Sequence, residues 1–272
     1  MQKRFVYYLD INTLAIVFGM NELGVWAHTQ LKVALQSSDS LASKSWKEDT
    51  LLEALECAYT TPEDTVDFEH DMLAFVYLVL SPSISSLQES KSGLNLDTCV
   101  ELFKHIGFSG SVPELFGYVF AVILSLGHQS PVWKKKLTRE DRAALYAAQV
   151  HLVCLRRHEG LSLQWLTLSR NLRPDVLSLT VNCHTCMKNL QAEWLTSFGQ
   201  CANLNSEIPL HDISKIVLLP RYRQQIASAF RPAWKCPSKC GAGERILDAI
   251  DVRLGSLYTE LAFEYRRIVR EL

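Results

Sequence analysis

Ile246-Leu-Asp-Ala-Ile-Asp-Val-Arg-Leu-Gly-Ser-Leu-Tyr-Thr-Glu-Leu-Ala-Phe-Glu-Tyr-Arg-Arg-Ile-Val-Arg-Glu-Leu272 closes the chain and sets how the rest is read. Ile246, Ile250, Leu254, Leu257, Leu261, Tyr265, Ile268 and Leu272 recur at steps of four, four, three, four, four, three and four. A strand alternates with period two, so this spacing requires a helix carrying one apolar seam. The seam suits a bundle helix buried along its length, and the same spacing suits a coiled-coil homodimer through the terminal helix. Arg253, Glu260, Arg266 and Arg270 fall on the other side and are expected to face solvent.

Upstream the helical period continues, with start and stop signals. A short helix near Asn12 to Phe18 can end at Gly19, and Glu22 to Leu35 places Leu23, Trp26, Ala27, Leu31, Ala34 and Leu35 on one face. The two read as an antiparallel pair. After the turn-rich stretch 37–43, helical patterns follow near 46–59 and 65–80, the latter stopping at Ser81-Pro82. Asp97 to Ile106 ends at Gly107. A helix then begins with Pro113 just inside it and closes at Gly127, and Thr138-Arg-Glu-Asp141 signals a capped helix running to His158. Residues 161–169 read as a short helix or turn, 176–182 as a short strand, and 212–218 and 221–230 as two helices. That is too little strand for a sheet.

Composition bounds the function. A chain of 272 residues can bury a sizeable core without covalent help. With 28 Lys and Arg against 29 Asp and Glu, the net charge of -1 gives no global argument for nucleic acid or an anionic membrane. The most apolar run, Leu115 to Leu126, falls well short of the roughly 20 residues that span a bilayer, and reads as a buried helix. Asp10 and Asn12 interrupt the first apolar run, which argues against a signal peptide. Eight cysteines are few for a secreted disulfide scaffold, so the expectation is reduced thiols and an intracellular setting, cytoplasmic or nuclear.

Cys183-His-Thr-Cys186 and Cys236-Pro-Ser-Lys-Cys240 are the strongest chemical signal. Two short-spaced pairs suit tetrahedral Zn2+, because each pair occupies one edge of the tetrahedron from one tight turn. The expectation is a closed structural zinc held by Cys183, Cys186, Cys236 and Cys240, with His184 and Cys201 as spare ligands. A redox pair and ordinary core cysteines are the competing readings. The redox reading lacks a surrounding βαβ pattern. Downstream of the first pair, Met187, Leu190, Trp194 and Phe198 form an apolar helical stripe.

Three weaker clusters stand beside it. His151, Cys154 and His158, at i, i+3 and i+7 of one expected helix, could bind metal, but no acidic partner or fourth ligand is identifiable. Glu69-His70-Asp71 holds acid-base groups that adjacent helical positions point in different directions. Residues 215–245 carry Lys215, Arg221, Arg223, Arg231, Lys235, Lys239 and Arg245 against Glu244 alone, interleaved with Tyr222, Phe230 and Trp234, a mixture suited to phosphate contact and base stacking. No Gly-rich phosphate loop, Gly-x-Ser-x-Gly elbow or His-Glu-x-x-His motif occurs.

Leu9 to Leu31 resembles the helix pair that ends a BTB (POZ) domain, and the Cys183/Cys186 helix with Trp194 and the later cysteine pair is similar to the C-terminal region of fungal BTB proteins. The strands and first helices of a BTB core have no counterpart here beyond Phe5-Val-Tyr-Tyr-Leu9. The resemblance implies a helical adaptor region and supplies no catalytic residue.

The expected fold is thus all-α: an irregular multi-helix bundle with a small zinc-stapled C-terminal part and a long terminal helix. Its segments are a helix pair over 1–36, a bundle over 44–160 and a zinc-stapled region over 161–272. The expected function is a non-enzymatic protein-protein interaction or adaptor module. The alternatives are a nucleic-acid-associated zinc protein using 215–245 and a metal hydrolase, which would need an open coordination position.

Overall fold

The computed structural model describes residues 1–35, 41–59, 66–81, 95–109, 112–152, 158–166, 193–194, 196–198, 213–233 and 242–272, and every regular element among them is helical. In chain order these are α1 (Gln2–Val17), α2 (Asn21–Leu35), α3 (Glu48–Tyr59), α4 (Val66–Leu80), α5 (Leu96–Ser109), α6 (Pro113–Ser125), α7 (Pro131–Lys135), α8 (Arg139–His151), α9 (Ile213–Ala233) and α10 (Ala242–Glu271). Short 3-10 turns cover Glu159–Leu161 and Gln164–Leu166.

The all-α reading holds. α6 is apolar on every side, so it is stable only where other helices surround it. It lies at the centre, buried from Leu115 through Leu124, with α10 along it and α5 and α9 on other sides. The seam that opened the sequence reading is what α10 spends on this contact: Ile246, Ile250, Leu254, Leu257, Leu261 and Ile268 are all buried inside the chain's own bundle. Tyr258 and Ala262 widen the stripe. A dimer through this helix is left with its other face, where Val252, Phe263 and Val269 are exposed.

One continuous core runs from Phe5 on α1 to Ile268 on α10. Aromatic groups knit it at two levels. Tyr77, Tyr118 and Tyr258, from α4, α6 and α10, form a triangle with ring centroids 4.9–5.1 Å apart. Phe103, Phe116 and Phe120 gather around Tyr265. Trp194 and Phe198, the far end of the apolar stripe after the first cysteine pair, are also buried, and the Trp194 indole donates to the Leu166 carbonyl at 3.1 Å.

Local signals were mostly honoured. Gly19 and Gly127 end α1 and α6 at φ +64 and +70, the left-handed region where a Cβ is penalised. Thr138 and Asp141 form the full capping box of α8. α5 runs through Gly107, where a stop was expected, to Ser109. Three other boundaries differ. α1 begins at Gln2, because Phe5 and Leu9 extend its buried stripe toward the N-terminus. α8 stops at His151, with Leu152 as its C-cap, seven residues before the expected end.

The third difference is α9, one helix that runs through Pro220 where the sequence predicted two. Proline removes the donor that should satisfy the carbonyl four residues back. The Tyr258 hydroxyl donates to that Ile216 carbonyl at 3.3 Å. At the neighbouring Val217 carbonyl, Ser81 Oγ donates at 3.0 Å and the Tyr118 hydroxyl at 3.1 Å. Side chains from the bundle thus replace backbone bonding at the proline, which a buried carbonyl requires.

Candidate functional site

Among the described residues the largest concentration of exposed large apolar side chains is on the α1–α2 hairpin. The turn Phe18-Gly19-Met20 folds α2 back on α1, and Gly24 brings the backbones close enough for a Cβ there to stand 3.6 Å from that of Ala15. α1 buries Phe5, Leu9, Asn12 and Ala15. On the opposite arc it turns Tyr7, Ile11, Leu14 and Phe18 outward at steps of four, three and four, and Tyr7, Leu14 and Phe18 are each more than half exposed. Val17, Met20 and Val25 are likewise more than half exposed, and Trp26 sits edge-on against Tyr8. Between residues 11 and 31 the only Asp, Glu, Lys or Arg is Glu22. The sequence reading placed Leu23 and Trp26 on the buried face of α2. The structure buries Ala27, Leu31 and Leu35 and leaves those two exposed.

A second site lies where α8 ends. His151, His158 and Glu264 converge with one ligand atom from each inside a 4.8 Å span. His151 Nε2 is 2.9 Å from Glu264 Oε2, and His158 Nδ1 is 3.3 Å from Glu264 Oε1. His158 Nε2 faces the His151 carbonyl at 3.3 Å. Arg267, one turn beyond Glu264, bonds the carboxylate through Nε at 3.2 Å and Nη2 at 2.8 Å, and Nη2 also lies against His151 Nε2. Partial burial opposes ionisation of Glu264, but hydrogen bonds from Arg267 and His151 and the nearby charges outweigh it, and its pKa falls below the usual value. The two histidines were legible as a pair, but the expected geometry was wrong. α8 ends at His151 with Leu152 as its C-cap, so His158 does not continue that helix, yet the two rings lie 4.7 Å apart. The missing acid came from α10, more than a hundred residues on. Cys154 lies outside the described residues.

A third feature is a cavity of about 430 Å³ among α4, α6, α9 and α10. Glu69, His70, Tyr77, Glu114, Arg223 and Asp251 bring polar groups to it. The Tyr77 hydroxyl donates to Glu114 Oε2 at 3.3 Å. Burial pushes the Glu114 pKa up, the Tyr77 hydrogen bond partly offsets this, and the charge of Glu69 adds to the rise. Buried His70 Nδ1 meets no hydrogen-bond partner among the described residues. Glu69 and His70 therefore share a cavity lining with Glu114, although their positions on α4 alone gave no dyad.

In the described part of the basic segment, several groups are committed internally. Arg223 forms a two-pronged pair with Asp251, at 2.9 and 2.6 Å, and is buried. Arg221 donates to the Ser81 carbonyl at 2.6 Å, and Tyr222 is buried against Phe198. Trp234, Lys235 and Lys239 lie outside the described residues, as do Cys183, His184, Cys186, Cys201, Cys236, Cys240 and the expected strand at 176–182. No described helix is long and apolar enough to cross a membrane.

No family model, curated protein or solved structure matches the chain.

Proposed function

We propose that this chain is a non-enzymatic protein-protein interaction module of the adaptor kind, which receives an amphipathic helix of a partner protein on the outward stripe of α1. One observation carries this: α1 is apolar on two opposite arcs, and only the arc of Phe5 and Leu9 is used by its own core. Contiguous exposed apolar surface of this kind marks interaction sites in soluble proteins. The four-three-four spacing of Tyr7, Ile11, Leu14 and Phe18 is that of helix-on-helix packing, and the near absence of charge favours an apolar helix face over a charged partner. The resemblance of this pair to the end of a BTB domain points the same way. A structural zinc on Cys183, Cys186, Cys236 and Cys240 and an intracellular, cytoplasmic or nuclear setting belong to the same reading.

The test is site-specific photocrosslinking in cells, with the probe at Tyr7 and a control probe at exposed Val150. A discrete product whose crosslinked peptide is an apolar-striped helix, absent from the Val150 control and lost in Leu14→Asp and Phe18→Asp, is the expected result. Crosslinks to lipid, to a second copy of this chain, or no product above the control overturn it.

A further inference from the structure

We propose that His151, His158 and Glu264 form a binding site for a first-row divalent cation of the zinc class, distinct from the cysteine quartet. The donor set is right for it: two imidazole nitrogens and a carboxylate are the ligands of three-residue zinc sites. The spacing also fits. Zinc bonds of about 2.0–2.2 Å put neighbouring ligand atoms of a tetrahedron roughly 3.3 Å apart. His151 Nε2 stands 2.9 Å from Glu264 Oε2 and His158 Nδ1 3.3 Å from Oε1, one imidazole to each oxygen, and the three ligand atoms lie within 4.8 Å of one another, so small side-chain shifts bring them to that spacing.

Three further features favour a cation at this point. The first is the contact behind His158. Nε2 faces the His151 carbonyl, an acceptor only, so Nε2 carries a hydrogen, and in the neutral ring Nδ1, on the Glu264 side, is the nitrogen free to bind a metal. A ligating histidine is oriented in this way, through the nitrogen that does not touch the metal. The second is burial: the side chains of His158 and Glu264 are 10% and 12% exposed, which fixes both without sealing the site. The third is Arg267. Its Nε and Nη2 bond Glu264 Oε2 at 3.2 and 2.8 Å, so a positive charge already sits beside the carboxylate that His151 also faces. That guanidinium is half exposed and can swing to solvent, toward Glu271 at 4.0 Å, when a metal takes its place.

Among the described residues no fourth ligand joins the three. The site joins the end of α8 and His158 to the C-terminal third of α10. A bound ion therefore clamps the terminal helix to the preceding bundle.

The experiment is Zn2+ titration of the full chain against a chromophoric chelator, in a Cys183→Ser/Cys236→Ser background that removes the thiolate candidate, with Co2+ absorption as a second readout. One Zn2+ per chain is expected, with Co2+ bands that lack thiolate charge transfer. Glu264→Gln and His158→Asn should each weaken binding by about tenfold or more, and Arg267→Ala should tighten it by removing the competing cation. Arg267→Ala separates this reading from a purely structural network. The network loses a bond in that variant, whereas the metal site gains affinity. No zinc in the parent protein, affinity unchanged in Glu264→Gln, or weaker or equal affinity in Arg267→Ala overturns the proposal. If Glu264→Gln fails to fold by circular dichroism, the Arg267→Ala result decides alone.

Discussion

Replacing Gly117 by alanine tests the packing at the centre of the fold. Gly117 lies midway along α6 where α10 crosses it, and an added Cβ would stand 1.7 Å from the Tyr258 carbonyl oxygen, 2.7 Å from its carbon and 3.0 Å from the Ala262 nitrogen. These are backbone atoms, so no rotamer change relieves the clash. To restore ordinary contact α10 must back away by roughly 1.5 Å, a gap large enough to forfeit much of the dispersion between the facing side chains. The shift also pulls on Tyr258, which packs on Tyr77 and Tyr118 and serves the Ile216 carbonyl above Pro220.

Overpacking a core usually costs about 1–3 kcal/mol, and a backbone clash belongs at or above the top of that range. Alanine returns about 1 kcal/mol of helix propensity. The net is a loss of about 2–4 kcal/mol, or a fall of about 5–15 °C in Tm for a chain of this size. Gly24→Ala is the matched control. It too lies within a helix, but its new Cβ meets only Ala15 at 3.6 Å, so the propensity term acts nearly alone and Tm should hold or rise. Thermal melts of both variants by circular dichroism or calorimetry decide the matter. A Gly117→Ala melt within a degree of wild type, or equal shifts in both variants, would refute the close crossing of α6 and α10.

Two further outcomes follow from buried titratable groups. The pKa of Glu114 is raised in the folded state, so the native protein holds a proton that the unfolded chain releases, and stability falls as pH rises from the unfolded value through the folded one. Glu114→Gln, beside Glu69, His70 and Tyr77 and across the cavity from Arg223 and Asp251, should raise Tm at neutral pH and leave it unchanged well below the ordinary carboxylate range; an equal shift at both pH values contradicts the assignment. Burial pushes the thiols of Cys57 and Cys99 up to about 12, the charge of Glu53 adding to the rise at Cys57, so thiolate is scarce at neutral pH. Peptide-resolved alkylation should leave both unlabelled in the native protein and label them in denaturant; native labelling at the rate of a free thiol counts against their burial.

What the sequence disclosed was set by the range of the interaction behind each feature. The seam of α10, the apolar run of α6, the capping box at Thr138 and the stops at Gly19 and Gly127 are all written within one or two helical turns, and all were legible. Pro220 was misread because a proline's local cost is plain in sequence, whereas its relief comes from Tyr258, a hydroxyl nearly forty residues away. The outward stripe of α1 went unread, and the exposure of Leu23 and Trp26 on α2 was misread, for a different reason. Periodicity reports that a face is apolar, not whether anything covers it, and on α1 two arcs satisfy the rule while the core has room for one.

The histidine cluster combines both kinds of signal. His151 and His158 stood out because seven residues apart is two helical turns, yet the helix ends at His151, with Leu152 as its C-cap, and the pair does not share one helix face. Their rings meet at 4.7 Å, edge against face. Glu264 could not have been chosen from sequence, since α10 carries other acids and only its rotation about its own axis decides which one points inward. That rotation is fixed by the apolar seam. Tyr265 next to it packs on Phe103 and Phe120, and Leu261 a turn before is fully buried, so Glu264 falls at the edge of the buried stripe, close enough to be shielded and far enough out to reach α8. The hydrophobic period that decides the fold therefore also decides which carboxylate the histidines receive.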